Sequence, residues 1–405
     1  MQLTPDTATQ FNLGEVDHDF AVDPYADYAV LREHAPICAQ PDGSYVLTRY
    51  ADIKHTFSDP KIFSSDKRVD FAPKFGDSPL YEHHTHSIVF NDPPYHTRVR
   101  RLLGPFFAAR VLREMEHSIA NMVDRLLDDA AARGRIDVVK DFAHYIPLNL
   151  IGDLLGVPQG EREPLHEWAQ LILGGLEPVR SPEQLEAGNQ AVEEFKAYLR
   201  DLIERKRATP PAEIDVLWAL INASESGDGL TETEILHNSI FMLNAGHDTT
   251  GALIANGIDL LLRYPQQKQR LLEDPSLIKP AIEEMLRFES PLQIGNRRIT
   301  ADTHVGDLAL PAGTFLHLVI AAGNRDPAVF DAPDDFDVAR NPNRHLAFSH
   351  GIHTCAGNSV ARIEAQIAFS KLLSRYPRMA RAAETVRPHR SRFRVIDSLE
   401  IDLEP

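Results

Sequence analysis

The sequence predicts a mainly α-helical protein with a minor β component, folded as one large domain. Three observations carry this. Amphipathic helical spacing dominates from about His96 to Ala208. A further helix is apolar nearly all round from Ile240 to Leu262, which places it in the interior of a large protein. No linker, internal repeat or low-complexity run interrupts the 405 residues. Length alone would allow two or three domains at roughly 100–200 residues each. The Pro-rich spots, such as Asp92-Pro93-Pro94 and Thr209-Pro210-Pro211, are short enough to be turns. The expectation is therefore a single domain over residues 1–405, with 1–22 as an N-terminal extension.

In chain order, residues 37–40 and 45–48 read as two strands around the turn Pro41-Asp42-Gly43. Residues 111–132 and 184–207 are amphipathic helices, with apolar positions at helical spacing and charges between. Asp228-Gly229-Leu230-Thr231 opens the long apolar helix. Thr231 with Glu234 three residues on is a capping-box signature, and Pro265 marks the far end near Tyr264. A helix follows over 277–288. After Pro291 the pattern turns strand-like through 293–299 and 315–320, and a last helix spans about 357–373.

The formal net charge is −17. Nucleic acid needs a basic footprint, so it is excluded as the main partner, and an anionic membrane surface is disfavoured for the same reason. No apolar run approaches the roughly 20 residues that span a bilayer. Met1 to Phe20 is polar and acidic, unlike a secretory signal. Two cysteines, Cys38 and Cys355, make no disulfide framework, so the cytoplasm is the expected compartment.

Chemistry concentrates in Phe348-Ser349-His350-Gly351-Ile352-His353-Thr354-Cys355-Ala356-Gly357. A lone cysteine is ordinarily a small hydrophobe. Here Cys355 sits in a loop just before a helix, bracketed by Gly351 and Gly357. Glycines let backbone turn tightly and approach a flat group, and N–H groups at a helix start favour a thiolate. Phe348, Gly351, Cys355 and Gly357 together resemble the haem-binding loop of the cytochrome P-450 family. That resemblance implies a triangular-prism helical fold and haem b (Fe-protoporphyrin IX) as cofactor. It implies Cys355 as the axial iron ligand, since the family holds its iron through a thiolate. Phe348 would lie beside the sulfur and His353 would bind a haem propionate. Ser349 departs from the family, where many members have glycine, but keeps the position small.

Other segments match in order and spacing. His96 and Arg100 are four apart in Asn91-Asp92-Pro93-Pro94-Tyr95-His96-Thr97-Arg98-Val99-Arg100, so two donors share one helical face. By resemblance they hold a propionate; on spacing alone they could be a solvated face. Arg297, five residues before Asp302, is expected to supply a third propionate contact, with Arg298 adjacent as the alternative. Glu284-Met285-Leu286-Arg287 is similar to the family's E-x-x-R, and Arg340 would complete a buried, structural triad with Glu284 and Arg287.

Midway along the apolar helix stands Ala245-Gly246-His247-Asp248-Thr249-Thr250. Polar residues there need a reason. Bonds to local backbone that bend the helix are one. The resemblance supplies another: Thr249 as the hydroxyl above the iron and Asp248 as the acid that relays protons to it, the two catalytic residues. Ala245 and Gly246 would leave room beside the ring, and His247 would point away without a catalytic role.

The implied reaction is R–H + O2 + 2e− + 2H+ → R–OH + H2O. No flavin or nicotinamide fingerprint is visible, so the electrons would come from a ferredoxin-type protein with its own reductase. Arg101, Arg110, Arg113, Arg344 and Arg362 could form a basic patch for that acidic donor, or be scattered solvated charges. An atypical reaction on the same fold (peroxide-driven oxidation, desaturation, ring coupling) and a non-enzymatic haem sensor or electron carrier are the alternatives. Retention of Asp248 and Thr249 speaks against peroxide use and against a sensor. The protein is expected to be a monomer acting on a small organic substrate.

The substrate walls are expected from residues 69–89, 171–186, 241–245 and 292–295, with Phe71, Phe75, Phe241, Leu292 and Ile294 apolar and Asn244 and Gln293 polar. A buried amide without a partner costs roughly 1–3 kcal/mol. Asn244 and Gln293 should therefore bind a polar group of the substrate, or satisfy each other or a water.

Overall fold

Thr231 opens the longest helix. Its Oγ1 accepts the Glu234 N–H at 3.2 Å, and Glu234 Oε2 accepts the Thr231 N–H at 2.8 Å. This reciprocal cap satisfies two donors that the first turn would leave orphaned. The helix runs Glu232–Arg263 and stops before Pro265, where the next one, Pro265–Glu273, begins. This computed structural model describes residues 2–225 and 229–404, apart from the side chains of Ala109, Arg110 and Glu225. Asp228, expected in the turn that opens the long helix, and the Arg110 side chain lie outside the described residues.

Two compact units interleave along the chain: Met1–Phe63, Glu116–Ile146 and Thr249–Pro405 in the first, Ser64–Met115 and Pro147–Asp248 in the second. The first unit carries the sheets. Ile37–Ala39 pairs antiparallel with Tyr45–Leu47, which runs parallel to Phe315–Val319, which in turn pairs antiparallel with Ile294–Ile299. The predicted strands stand within one residue of their expected ends. Leu47, Phe57, Leu316 and Leu318 fill one core against this sheet, and Phe20, Tyr28, Val46 and Val319 another. The first 22 residues are part of that second core through Leu3, Phe11, Leu13 and Phe20.

The second unit is helical. Helix Glu163–Gly174 packs on helix Pro182–Ala208, whose Gly188 lets Leu80 come close: a Cβ there would lie 3.0 Å from Leu80 Cδ1. Phe195, Leu199, Leu236 and Leu243 are fully or almost fully buried in its core. Mainly helical with small sheets is thus the observed class. The run of helices expected from His96 to Ala208 is interrupted by one strand, Arg135–Asp137, paired antiparallel with Glu400–Asp402. Three residues are too few for a period-2 pattern to register in sequence.

Helix Ile278–Phe288 is anchored by Glu284 and Arg287, both wholly buried. Every N–H of the Arg287 guanidinium is used. Nε and Nη2 grip the Glu284 carboxylate at 2.7 Å each, and the remaining hydrogens go to the carbonyls of Asn324, Pro333 and Asp335. Glu284 also accepts from Arg340 Nε (3.0 Å), Asn343 Nδ2 (3.0 Å) and the Asp337 N–H (3.1 Å). Removing one partner strands the other charge without water, at a cost of about 3–5 kcal/mol. Glu284→Ala and Arg287→Ala are expected to lose about that much in denaturant melts. Arg287→Lys should fare little better, because an ammonium has three donors where the fork uses five.

Candidate active site

The cysteine loop is shaped by one steric demand. Gly351 has φ +73°, and a Cβ on it would lie 2.5 Å from the Phe57 carbonyl oxygen. The loop then closes on itself. Cys355 N–H donates to Phe348 O at 3.0 Å, and Thr354 gives both its N–H (3.1 Å) and its hydroxyl (2.8 Å) to Gly351 O. Asn358 Nδ2 ties the first turn of the following helix, Asn358–Arg375, back to Cys355 O at 2.6 Å. The result presents Cys355 at the surface of this fold, while Cys38 is buried with its thiol pushed up by desolvation. Only one of the two cysteines is offered to a ligand.

Phe348 lies under the Arg362 guanidinium, 4.6 Å from its carbon to the ring centre. Arg362 is itself forked onto Glu283 at 2.6 and 2.8 Å, and His345 reaches the same carboxylate at 3.0 Å. Burial works to raise the Glu283 carboxyl, but hydrogen bonds from Arg362 and His345 outweigh it and hold the group at about 2. Arg362 is therefore withdrawn from the basic patch expected for a redox donor. Arg101, Arg113 and Arg344 are exposed.

Ser349 stands at φ +63°, in the left-handed region, and its buried hydroxyl has no hydrogen-bond partner among the described residues. The backbone asks for glycine here, so serine keeps the position small but strained.

On the long helix, partly accessible residues recur as Phe241 and Met242, Ala245 and Gly246, then Thr249, among buried neighbours. Four-residue spacing makes these one face of the helix. A Cβ at Gly246 would overlap Ile151 Cδ1, so this glycine also serves packing inside its own unit. Asp248 is 2% exposed. His247 is buried and turns to His166, with ring nitrogens 3.2 Å apart.

The expected propionate donors fall on separate elements. His96 is buried and Arg100 half-buried on helix Tyr95–Leu103. His353 ends the turn Gly351–His353. Arg297 is buried on strand Ile294–Ile299 with its guanidinium 4.9 Å from the Phe57 ring centre, whereas Arg298 is less buried. The described residues thus hold a thiol, an accessible helix face and cationic donors, a set whose chemistry suits haem.

The residues expected to wall the substrate sit as follows. Ile294 packs among Phe20, Val46 and Val319 in the interior of the first unit. Gln293 is 2% exposed and gives Nε2 to Ser290 O at 2.6 Å, while its buried Oε1 has no hydrogen-bond partner among the described residues. Pairing of Ile294 with Val319 fixes the register of the strand from its first residue. Asn244 is 1% exposed, with neither amide atom hydrogen-bonded among the described residues. Leu292 is half-buried and packs beside Leu47, Phe57 and Leu316, and Phe241 packs on the core of the second unit.

Two charged residues carry no motif and emerge only from the structure: Arg180, in the segment 171–186, and Glu364. Glu364 lies on helix Asn358–Arg375, 2% exposed, its Oε1 unpartnered, and desolvation raises its carboxyl to about 8.

The sequence profile of the cytochrome P450 family matches residues 37–389. With the cysteine loop and the buried E-x-x-R network in place, the chain belongs to the cytochrome P450 family and is a haem-thiolate monooxygenase. Cytochrome P450 107B1 of Saccharopolyspora erythraea is 38% identical over 387 residues, covering 91% of each chain. Vitamin D(3) 25-hydroxylase of Pseudonocardia autotrophica is 36% identical, again over 91% of each. Among solved structures, P450BioI in complex with a hexadec-9Z-enoic acid-ligated acyl carrier protein superposes with a TM-score of 0.90 at 33% identity, over 96% of this chain and 100% of that one.

Two stability measurements follow from this geometry. Ser349→Gly relieves left-handed strain and deletes an unpartnered hydroxyl, against the extra backbone entropy of glycine, and should stabilise by about 1 kcal/mol in denaturant melts. For Glu364, the unfolded carboxyl ionises near 4.5 and the folded one at about 8. Its contribution is whole below pH 4.5 and is lost as pH rises toward 8. Glu364→Gln lacks that loss, so the variant should gain on the wild type steadily across this window, by on the order of a few kcal/mol.

Proposed function

We propose that the chain is a cytoplasmic, monomeric monooxygenase that uses haem b, hydroxylates a mostly apolar small molecule and draws electrons from a ferredoxin-type protein with its reductase. The observation that carries the site assignment is the exposed Cys355 thiol, held by the Gly351 turn at the start of a helix. Haem, when bound, supplies the redox chemistry of dioxygen activation. Cys355 would hold the iron as thiolate. Phe348, kept in place by Arg362, would shield the sulfur from water. His96, Arg100, Arg297 and His353 would orient the ring through its propionates by charge-assisted hydrogen bonds. Thr249, on the accessible face of the long helix, would hold a proton at its hydroxyl above the ring. Asp248 would pass protons forward to it. Residues 1–405 would act together as one domain. The vitamin D(3) hydroxylase and the acyl-bearing carrier complex among the relatives support an apolar skeleton as substrate.

Carbon monoxide added to the reduced protein should give the red-shifted Soret band of thiolate ligation. Cys355→Ser should abolish it and Cys38→Ser should keep it; the reverse pattern would remove Cys355 from the iron.

A further inference from the structure

Arg180 ends the turn between helices Glu163–Gly174 and Pro182–Ala208 and is half-buried. Several other arginines of the second unit are matched to carboxylates: Arg162 with Asp153 at 2.7 Å, Arg98 with Glu234 at 2.6 Å, Arg205 with Glu161 at 2.8 Å. Arg180 differs. Among the described residues it makes no ion pair. Nη1 donates only to the main-chain carbonyls of Glu177 (3.1 Å) and Pro178 (3.3 Å), and Nε is buried with no partner at all. Burial depresses its pKa. A guanidinium taken this far from water with a donor unused is costly unless something fills the place.

What lies beside it is aromatic. The Arg180 guanidinium carbon is 5.7 Å from the Phe75 ring centre. Phe75 meets Phe71 at 5.2 Å and His84 at 5.3 Å, and Phe71 meets Phe90 at 5.4 Å. Phe71 and Phe75 lie on helix Arg68–Phe75, in a segment expected from the sequence to wall the substrate. A cation lacking its anion at the rim of an apolar cluster matches a ligand that is apolar along its length and anionic at one end.

We propose that Arg180 is a specificity-determining residue that recognises a carboxylate on an otherwise apolar substrate, with Phe75 and Phe71 against the adjoining skeleton. This rests on the monooxygenase reading and names the substrate class for it. A planar carboxylate meets the free edge of the guanidinium in the geometry arginine favours, and a skeleton fixed at one end has fewer orientations to sample.

The test uses the haem-loaded full chain at neutral pH. Saturated fatty acids of ten to sixteen carbons and their methyl esters are titrated in, with binding read from the Soret displacement and from calorimetry. The acid of at least one length should bind about tenfold or more tighter than its ester, as a charge-assisted contact allows. Arg180→Gln should bring the two within about twofold, and Arg180→Lys should keep part of the preference, since the charge survives but the fork does not. Equal affinity for acid and ester in the wild type, no binding of any acid, or an undiminished preference in Arg180→Gln would each overturn the assignment. The carbon monoxide band is recorded on the same samples. A normal band without acid preference rejects Arg180 alone, whereas an absent band in the wild type rejects the thiolate reading beneath it.

Discussion

A carboxylate sealed from water sets the position of the cysteine loop. Glu284 is fully buried and is matched by two guanidinium groups, an amide and a main-chain N–H. Its partner Arg287 also donates to Asn324 O, and the Asn324 side-chain oxygen accepts from the Leu346 N–H at 2.7 Å. Leu346 O in turn takes the Ser349 N–H at 2.8 Å. An unbroken path of hydrogen bonds therefore leads from helix Ile278–Phe288 into the loop that carries Cys355. Because an uncompensated charge in the interior is so costly, this arrangement has few alternatives, and the thiol inherits that rigidity.

Above this foundation, the loop accepts local strain to present its ligand. Gly351 is placed where no other residue fits, and Ser349 occupies backbone that glycine would tolerate better. Strain of this kind persists only where surrounding structure over-determines it, as the Glu284 network does here. Arg362 shows a similar economy: one side chain covers Phe348 and neutralises Glu283.

Long periodic helices, the capping box and the spaced motifs were legible because each is a local pattern with a local cause. Glu284 and Arg287 are three apart and meet on one helix; Thr231 and Glu234 likewise. What escaped depends on partners distant in sequence. Nothing near Ile294 states that its pairing with Val319 sets it among Phe20 and Val46. Glu364 looks like any helix-surface glutamate until the fold buries it, and Arg180 is notable only for a carboxylate it does not meet. Asn244 is the intermediate case: burial was expected, but the absence of any partner is a three-dimensional fact.

The short strand Arg135–Asp137 has a consequence for how the protein is made. Its only described ladder partners are Glu400–Asp402, and Arg135 Nε reaches Asp402 Oδ1 at 2.7 Å across 267 residues of chain. Leu403 N–H adds a bond to Gly134 O at 2.8 Å. During synthesis that edge must wait, unpaired, while nearly all the later helices leave the ribosome. At about 5–20 residues per second, the wait is on the order of tens of seconds. For that interval Ile136, fully enclosed at the end, is an open strand edge seeking a neighbour. The nascent chain therefore carries an unpaired strand edge, open to mispairing, until Glu400–Asp402 emerges.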